Sequence, residues 1–246
     1  MRHLPSGEEV SVFGRDVVLK RVQGPKVAAW SQALLAGVQR SDEFRLPRPI
    51  LSDDGRFEVD GWIATEFVEG LSSLRHDPAT IIRVGEVLSD ILSDVSRGDS
   101  LPVRQRRDRW ARADRFVWNE ETVTLSLQAD ALNARLRSHF SEQSDRPAVV
   151  HGDLSGNVFV DPSGIPVVLD FTPYIRPKRY ASAIVVADNL LWYNGDATLT
   201  RLIGHDEDGL ARALLFRLVS EQLGPTSRQD ADLANYHRTL ASLGWA

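Results

Sequence analysis

The fold is decided by residues 151–171, which read HGDLSGNVFVDPSGIPVVLDF. Two short β-rich segments, residues 158–160 and 166–169, lie on either side of the sequence Asp-Pro-Ser-Gly, which is typical of a tight turn. We therefore predict that the two segments pair as a hairpin, so that the chain goes out and returns. Such a hairpin brings Asp170 beside Asn157.

Three polar side chains at the mouth of this hairpin suit phosphoryl-transfer chemistry. Asp170 and Asn157 supply hard oxygen ligands for Mg²⁺, which usually takes one or two carboxylates plus substrate phosphates. Asp153 lies one turn of loop upstream, where its carboxylate can accept a proton from a hydroxyl group. A metal site beside a proton acceptor is what a phosphoryl transferase of the protein-kinase type requires.

Residues 151–171 resemble the catalytic loop and metal-binding segment of the aminoglycoside phosphotransferase family, which comprises small-molecule kinases with the protein-kinase-like fold. The family loop reads H-G-D-x-x-x-x-N, and an aspartate that often precedes Phe or Trp follows after a hairpin. This chain has His-Gly-Asp at 151–153 and Asp-Phe at 170–171. Its loop is one residue shorter, because Asn157 follows the aspartate by four positions instead of five. We expect Gly156 to permit the tighter turn through a positive φ.

The resemblance implies a role for each of these residues. Asp153 is the expected catalytic residue, which orients and deprotonates the acceptor hydroxyl. Asn157 and Asp170 are the expected ligands of Mg²⁺, and His151 is expected to brace the loop through hydrogen bonds. Either motif alone could be an ordinary turn or a helix cap, but the two motifs with a hairpin between them favour kinase-like ancestry.

Two strands of a hairpin are predicted near the N terminus, over residues 10–13 and 17–22. Val18, Lys20 and Val22 share one face of the second strand. By the resemblance, Lys20 is the strand lysine that holds the α- and β-phosphates of the nucleotide, and the alternative is a surface lysine on an edge strand. Only 19 residues precede Lys20, too few for the usual pair of strands and glycine-rich loop.

The next segment, residues 25–40, has the apolar spacing of a helix. In the family this helix carries a glutamate that pairs with the strand lysine, but here it contains no acidic residue. Gln32 is the nearest polar substitute, and an amide cannot form an ion pair. The sequence therefore weakens the case for tight ATP binding.

A second hairpin is predicted over residues 56–59 and 62–67, with Asp-Gly at its turn. The resemblance identifies the end of this hairpin as the hinge between the lobes of a kinase. It implies that backbone groups of Glu66 and Val68 bind adenine. An ordinary strand end is the alternative, because side-chain identity says little where the backbone binds.

Hydrophobic periodicity predicts a helical remainder. The expected ranges are 77–98, 102–118, 125–140, 181–193, 210–223 and 232–243. The arginine-rich range 102–118 is either a solvated helix face with internal ion pairs or a surface for an anionic substrate. Asp188 is a candidate for bracing the catalytic loop. The acidic sequence at 205–208 is expected to cap a helix, and could also attract a cationic substrate.

Between Asp170 and the apolar helix at 181–193, residues 172–180 contain two prolines and are predicted to be an irregular loop in the place of an activation segment. Its polar members could touch phosphate or substrate at the mouth of the site, or belong to an ordinary basic surface loop. They are Tyr174, Arg176, Lys178 and Arg179.

Composition excludes several classes of protein. The chain has 246 residues, 42% of them hydrophobic, as expected of an ordinary globular protein. The net charge of −5 opposes a general nucleic-acid binder. The absence of cysteine excludes disulfides, thiolate zinc sites and a cysteine nucleophile, and agrees with a cytoplasmic protein. We see no signal peptide and no run that could span a membrane. The family resemblance implies that the partner is a small molecule.

These observations predict an α+β, protein-kinase-like fold with two lobes. A small, cut-down, sheet-rich N-lobe is expected over residues 1–70 and a mainly helical C-lobe over residues 71–246. The predicted function is an ATP- and Mg²⁺-dependent phosphotransferase acting on a hydroxyl group of a small molecule. The alternative is an inactive kinase-like binding module, which the short N terminus, the short loop and the missing glutamate favour, and which Asp153 and Asp170 oppose. Other phosphate-linked transfer on this scaffold is a third possibility, and no motif identifies the acceptor or an oligomeric state.

Overall fold

The N-terminal part of the chain is built on a six-stranded antiparallel sheet. The computed structural model describes residues 2–3, 10–13, 16–38, 41–95, 101–224 and 233–245. The strands of the sheet are β1 (Arg2–His3), β2 (Val10–Phe13), β3 (Val17–Arg21), β4 (Pro49–Ile50), β5 (Glu58–Val59) and β6 (Trp62–Glu66). Their order is β1-β2-β3-β6-β4, and β5 also pairs with β6.

Two short strands precede the lysine-bearing strand β3, so the expectation of too few residues is wrong for the pair of strands. Its other part, the missing glycine-rich loop, falls on residues 4–9, which lie outside the described residues. The pair fits because β1 has only two residues and β2 only four. β2 and β3 are antiparallel neighbours, as predicted. Ser6 and Gly7, and the turn residues Gly14 and Arg15, lie outside the described residues.

The hairpin of β5 and β6 confirms the prediction from its Asp-Gly turn. Asp60 and Gly61 have φ values of 49° and 83°, and a type I′ turn requires a positive φ at both central positions. The Gly61 N–H donates to Glu58 Oε1 at 2.6 Å, which closes the turn. β5 begins two residues later than predicted, because the Arg56 carbonyl accepts a hydrogen bond from Ser52 N at 2.9 Å within a separate turn.

One helix, α1 (Pro25–Ala36), belongs to the N-terminal part. It is shorter than the predicted range 25–40, because the chain leaves the helix at Gly37. The Gly37 N–H donates to the Leu34 carbonyl and the Val38 N–H to the Leu35 carbonyl, both at 3.1 Å. Gln32, the predicted substitute for the missing glutamate, lies in this helix and is buried.

The C-terminal part is mostly helical, which together with the sheet confirms the α+β class. Its helices are α2 (Pro78–Val95), α3 (Leu101–Arg104), α4 (Arg109–Val117), α5 (Leu127–Arg137), α6 (Lys178–Trp192), a 3₁₀ helix (Ala197–Ile203), α7 (Glu207–Gln222) and α8 (Leu233–Ser242). The predicted 102–118 helix is divided in two, because Asp108 caps a new helix by accepting the Ala111 N–H at 3.0 Å. The other predicted helices are present, with ends that differ from the prediction by one to three residues where the structure describes them. The predicted end at 96–98 and the predicted start at 232 lie outside the described residues.

The centre of the C-terminal core is formed by α6 and α7. Both helices are buried along most of their length, α6 over residues 180–191 and α7 over residues 208–220. Asp206 caps α7 by accepting the Gly209 N–H at 2.9 Å, which confirms the predicted acidic cap. Within the described residues, no helix is long and apolar enough to cross a membrane.

Two small antiparallel sheets carry the segment at 151–171. Their strands are β7 (Ser72–Ser73), β8 (Ala148–His151), β9 (Val158–Val160), β10 (Pro166–Val168) and β11 (Pro173–Arg176). β8 pairs with β11, and β9 lies between β7 and β10. β11 overturns the prediction that residues 172–180 are irregular. Pro173 takes the first position of the strand and Pro177 follows its last, so neither proline interrupts it.

The polar residues of this segment are in structural contacts. Tyr174 is buried, and the three basic side chains form ion pairs with carboxylates of the C-terminal part. The pairs are Arg176 with Asp114 and Glu120, Lys178 with Asp90, and Arg179 with Asp145 and Asp206. In the arginine-rich helix α4, Arg112 and Arg115 both bind Glu121 at 2.7 Å. The contacts favour the structural interpretation of both segments.

Candidate active site

The hairpin of β9 and β10 sets the position of Asp170. The two strands are antiparallel with Val158 opposite Val168, as predicted. The turn between them is closed by Asp161, whose Oδ1 accepts the Ile165 N–H at 3.0 Å. At the open end, Leu169 N donates to Asn157 O at 2.8 Å. The hairpin therefore returns the chain to Asn157 one residue before Asp170.

The short loop before the hairpin joins Asp153 to Asn157. The Asn157 side-chain amide donates from Nδ2 to Asp153 O at 2.7 Å and to Asp153 Oδ2 at 3.2 Å. Asn157 N also donates to Leu154 O at 2.9 Å. The expected positive φ at Gly156 is wrong, since this glycine is not among the residues in the left-handed region. The loop is closed by the hydrogen bonds of Asn157 instead.

His151 connects this loop to the hairpin. Its Nδ1 accepts the Asp153 N–H at 3.1 Å, so the ring hydrogen lies on Nε2, which is 3.3 Å from Leu169 O. The ring meets Phe171 edge to face, with centroids 5.4 Å apart. Burial lowers the pKa of His151 below its ordinary value, which keeps the imidazole neutral. A neutral ring with both nitrogens engaged suits a bracing role better than proton transfer.

Lys20 and Asp170 bring the N-terminal sheet and the hairpin together. Lys20 Nζ forms an ion pair with Asp170 Oδ1, although 151–171 and β3 are far apart in sequence. The helix α1 has no acidic residue, and among the described residues Asp170 supplies a carboxylate to the lysine. Asp170 has a φ of 48°, a left-handed conformation that is uncommon for non-glycine residues and tolerated best by Asp and Asn.

Asp170 and Asn157 have the donor atoms that Mg²⁺ prefers. The side-chain amide of Asn157 turns its Nδ2 towards Asp153. The Oδ1 atom of Asn157 accepts no hydrogen bond from any described residue. The Asp170 side chain is 51% exposed, which leaves its carboxylate accessible. Among the described residues, no group of three or more His, Cys, Asp or Glu could enclose a metal. One carboxylate and one amide fit a Mg²⁺ ion that completes its coordination with phosphates and water.

The expected hinge follows β6. Glu66 is anchored by Arg48, whose carbonyl accepts the Glu66 N–H at 2.9 Å and whose Nε donates to Glu66 Oε2 at 3.2 Å. Phe67 N donates to Asp16 O at 2.8 Å. The Val68 N–H donates to no acceptor in the described part of the chain. An open N–H at this position is compatible with hydrogen bonding to adenine.

Sequence reasoning missed one residue in contact with Asp153. Arg217, on α7, donates from Nη2 to Asp153 Oδ1 at 3.0 Å and also binds Asp188, the predicted bracing residue. Arg217 lies 64 positions from Asp153, and no motif marks it. The available signal was a single arginine among apolar neighbours, LLFRLV, in a helix that periodicity marks as core.

Gly152 is required by the close approach of Tyr174. A Cβ atom at Gly152 would be much closer than van der Waals contact to Cδ2 and Cε2 of the Tyr174 ring, which is itself buried. At Gly156, four positions along the same loop, a Cβ atom would meet nothing within 4 Å. The two glycines therefore form a matched pair.

We predict that Gly152→Ala destabilises the protein by about 1–3 kcal/mol, because the buried ring must shift to admit the methyl group. Gly156→Ala should be neutral or stabilising by up to about 1 kcal/mol, since it restricts only the unfolded chain. Urea unfolding of both variants measures the difference. Equal stabilities would show that the Tyr174 ring does not pack on this glycine.

Comparison with known proteins gives one family match and several similar structures. A family model described as "Phosphotransferase enzyme family" matches residues 12–174. A solved aminoglycoside phosphotransferase from Alicyclobacillus acidocaldarius is 14% identical, with a TM-score of 0.59 over 99% of this chain and 92% of that chain. The choline kinase LicA from Streptococcus pneumoniae is 12% identical, with a TM-score of 0.53 over 100% and 93%.

A third solved structure, a thermostable mutant of the aminoglycoside phosphotransferase APH(4)-Ia, is a ternary complex with ADP and hygromycin B. It is 16% identical, with a TM-score of 0.57 over 99% of this chain and 92% of that chain. No curated protein sequence matches the chain significantly. At these identities the similar structures show the fold, and they confirm the protein-kinase-like architecture predicted from residues 151–171.

Proposed function

Because the chain belongs to the phosphotransferase enzyme family, we propose that it transfers the γ-phosphoryl group of ATP to a hydroxyl group of a small molecule in a Mg²⁺-dependent reaction. The observation that carries the proposal is the continuous contact from Asp153 through Asn157 to the hairpin that bears Asp170, opposite Lys20. A proton acceptor, two oxygen ligands and a cation thus belong to one site.

Asp153 is the proposed proton acceptor. Its side chain is 48% exposed, so an acceptor hydroxyl can reach the carboxylate from the solvent side. Hydrogen bonds from Arg217 to Oδ1 and from Asn157 to Oδ2 fix the orientation of the carboxylate and leave its remaining lone pairs open. The group can therefore align a hydroxyl for attack and take its proton as the phosphoryl group transfers.

Asn157 Oδ1 and the Asp170 carboxylate are the proposed Mg²⁺ ligands. The ion would neutralise charge on the β- and γ-phosphates. Lys20, which forms an ion pair with Asp170, is the proposed contact for the α- and β-phosphates. The backbone of Glu66 and Val68 is the proposed contact for adenine. The ADP complex of the similar APH(4)-Ia structure supports ATP as the donor, and the use of ATP favours a cytoplasmic site of action.

The acceptor is proposed to be a small molecule, and one class is disfavoured. Of the acidic residues at 206–208, which could have attracted a polycationic aminoglycoside, Asp206 and Asp208 are each paired with an arginine, and Glu207 lies beside the ring of His139. The contacts are Asp206 with Arg179 at 3.2 Å, Glu207 with His139 at 3.3 Å, and Asp208 with Arg212 at 2.9 Å. Membership of the family does not by itself identify the acceptor as an aminoglycoside antibiotic, because one fold can serve several substrates.

The test is turnover. We propose incubating the protein with ATP, Mg²⁺ and a panel of amino alcohols, sugars and nucleosides, and following ADP and new phosphate esters by ³¹P NMR. A phosphotransferase forms an ester with at least one acceptor, or hydrolyses ATP slowly when water replaces it. An inactive binding module, which the Lys20–Asp170 ion pair and Gln32 in place of a glutamate favour, would bind nucleotide and form neither product.

A further inference from the structure

Arg217 is an arginine enclosed in the core. Its side chain is only 5% exposed, and the rings of Trp110, Trp192 and Phe216 lie 5.2–5.8 Å from its guanidinium carbon. A cation in such surroundings requires carboxylate partners, because burial without them is very unfavourable. The carboxylates that pair with Arg217 are therefore what allows an arginine to be buried at this position.

Two carboxylates meet this guanidinium. Asp188, on α6, accepts Nε at 2.6 Å and Nη2 at 2.7 Å, a bidentate arrangement between two buried groups. The second hydrogen of Nη2 is directed to Asp153 Oδ1 at 3.0 Å. Burial alone would lower the pKa of Arg217, but the two carboxylates raise it well above its ordinary value, so the group stays charged.

Nη2 of Arg217 thus donates both to the buried Asp188 and to Asp153, the proposed proton acceptor. Asp188 is satisfied by Arg217, which fixes the plane of the guanidinium, and the fixed guanidinium holds Asp153 at one oxygen while Asn157 holds the other. A lysine at 217 could neutralise Asp188, but its ammonium lacks the planar fork that reaches both carboxylates at once. Both Asp188 and Arg217 lie beyond residues 12–174, the part that matches the family model.

We propose that Arg217, held by Asp188, is a positioning residue that fixes the Asp153 carboxylate for reaction with the acceptor hydroxyl. The inference rests on the proposed function for its effect on turnover, but the placement of Asp153 can be tested without turnover. In this proposal α7 both forms part of the core and carries the residue that positions Asp153.

Arg212 offers a matched control on the same helix. It is buried to the same degree, with 8% of its side chain exposed, and pairs with the buried Asp208 at 2.9 Å. It stacks on Trp118 and Phe140 and does not touch Asp153. Arg217→Lys and Arg212→Lys should therefore disturb the core similarly, and only the first should disturb the site.

The experiment compares the two lysine variants by kinetics and by crystallography. Arg217→Lys should lower kcat about 100-fold, the scale of a misplaced catalytic group, without weakening Mg²⁺-dependent ATP binding. Arg212→Lys should keep the wild-type kcat. In the crystal structure of Arg217→Lys, the Asp153 carboxylate should leave its position, whereas in Arg212→Lys it should stay.

Two outcomes overturn the proposal. One is an Asp153 carboxylate that keeps its place in Arg217→Lys, and the other is a loss of kcat that is equal in both variants. If the wild type makes no product with any acceptor or with water, the proposed function fails. The crystal structures still decide whether Arg217 positions Asp153.

Discussion

Asp170→Ala is expected to abolish the Mg²⁺-dependent part of ATP binding. Asp170 is the single carboxylate among the proposed metal ligands, and Asn157 alone offers only a neutral oxygen. Loss of a direct ligand should weaken affinity in the presence of Mg²⁺ by more than about 100-fold, since loss of a supporting partner already costs 10–100-fold. Isothermal titration calorimetry with ATP, with and without Mg²⁺, measures the effect.

The Lys20–Asp170 ion pair gives this prediction a second, opposite part. Without Mg²⁺, Asp170→Ala should bind ATP at least as well as the wild type, because the variant removes a negative charge from the phosphate site and Lys20 no longer shares its charge with that carboxylate. Loss of binding under both conditions would indicate a damaged fold instead of a missing metal ligand.

Asp90→Ala is the matched control for Asp170→Ala. Asp90 is also an exposed aspartate in an ion pair with a lysine, Lys178, but it lies on α2, outside the candidate site. Its replacement should leave ATP binding unchanged with and without Mg²⁺. If Asp90→Ala lost Mg²⁺-dependent binding to the same degree, the effect of Asp170→Ala could not be assigned to a metal site.

Asp153→Asn is expected to lower the rate of phosphoryl transfer by about 10²–10⁴-fold, the usual contribution of a general base. The amide has the shape of the carboxylate, and its oxygen can still accept from Arg217. The amide NH₂ loses the 3.2 Å hydrogen bond from Asn157, but Asn157 keeps its 2.7 Å bond to the backbone carbonyl of residue 153, so the fold and ATP binding should be retained. Single-turnover kinetics with saturating ATP separates the chemical step from binding. A variant that transfers phosphoryl groups at the wild-type rate would remove Asp153 from the mechanism.

Asp145→Asn is the corresponding control. The side chain of Asp145 is 49% exposed and pairs with Arg179 at 2.7 Å, close to the 48% exposure and 3.0 Å arginine contact of Asp153. Because Asp145 lies outside the loop at 151–157, its neutralisation should leave the rate unchanged. The comparison distinguishes loss of a proton acceptor from loss of an arginine–carboxylate contact in general.

The parts of the site that were predicted from sequence are those that neighbouring residues encode. The hairpin after Asn157 follows from β-rich segments around a turn sequence, and the Asp60-Gly61 turn follows from the positive φ values that these residues tolerate. Each depends on backbone preferences over a few positions.

The missed features depend on contacts between distant segments. β11 was read as a loop because prolines suggest irregular structure, but its hydrogen-bonding partner β8 accepts a strand whose prolines stand at its ends. The strand β1 was missed because its two residues are too few to form a recognisable sequence pattern. Arg217 was missed because a buried cation is recognised by the carboxylates around it, and those come from α6 and the loop.

The Lys20–Asp170 contact links the two interpretations of this chain. In the proposed enzyme the ion pair would open when nucleotide and Mg²⁺ bind, and Lys20 would be free to contact phosphate. In an inactive module the same ion pair would persist and keep the site closed to the metal. The two cases differ in whether Mg²⁺ increases the affinity for ATP.

The most direct test is therefore calorimetric titration of the wild-type protein with ATP in the presence and absence of Mg²⁺. We predict saturable binding with Mg²⁺ and much weaker binding without it. Absence of binding up to millimolar ATP with Mg²⁺ present, or an affinity that Mg²⁺ leaves unchanged, would contradict the assignment of Asn157, Asp170 and Lys20 to a metal–nucleotide site.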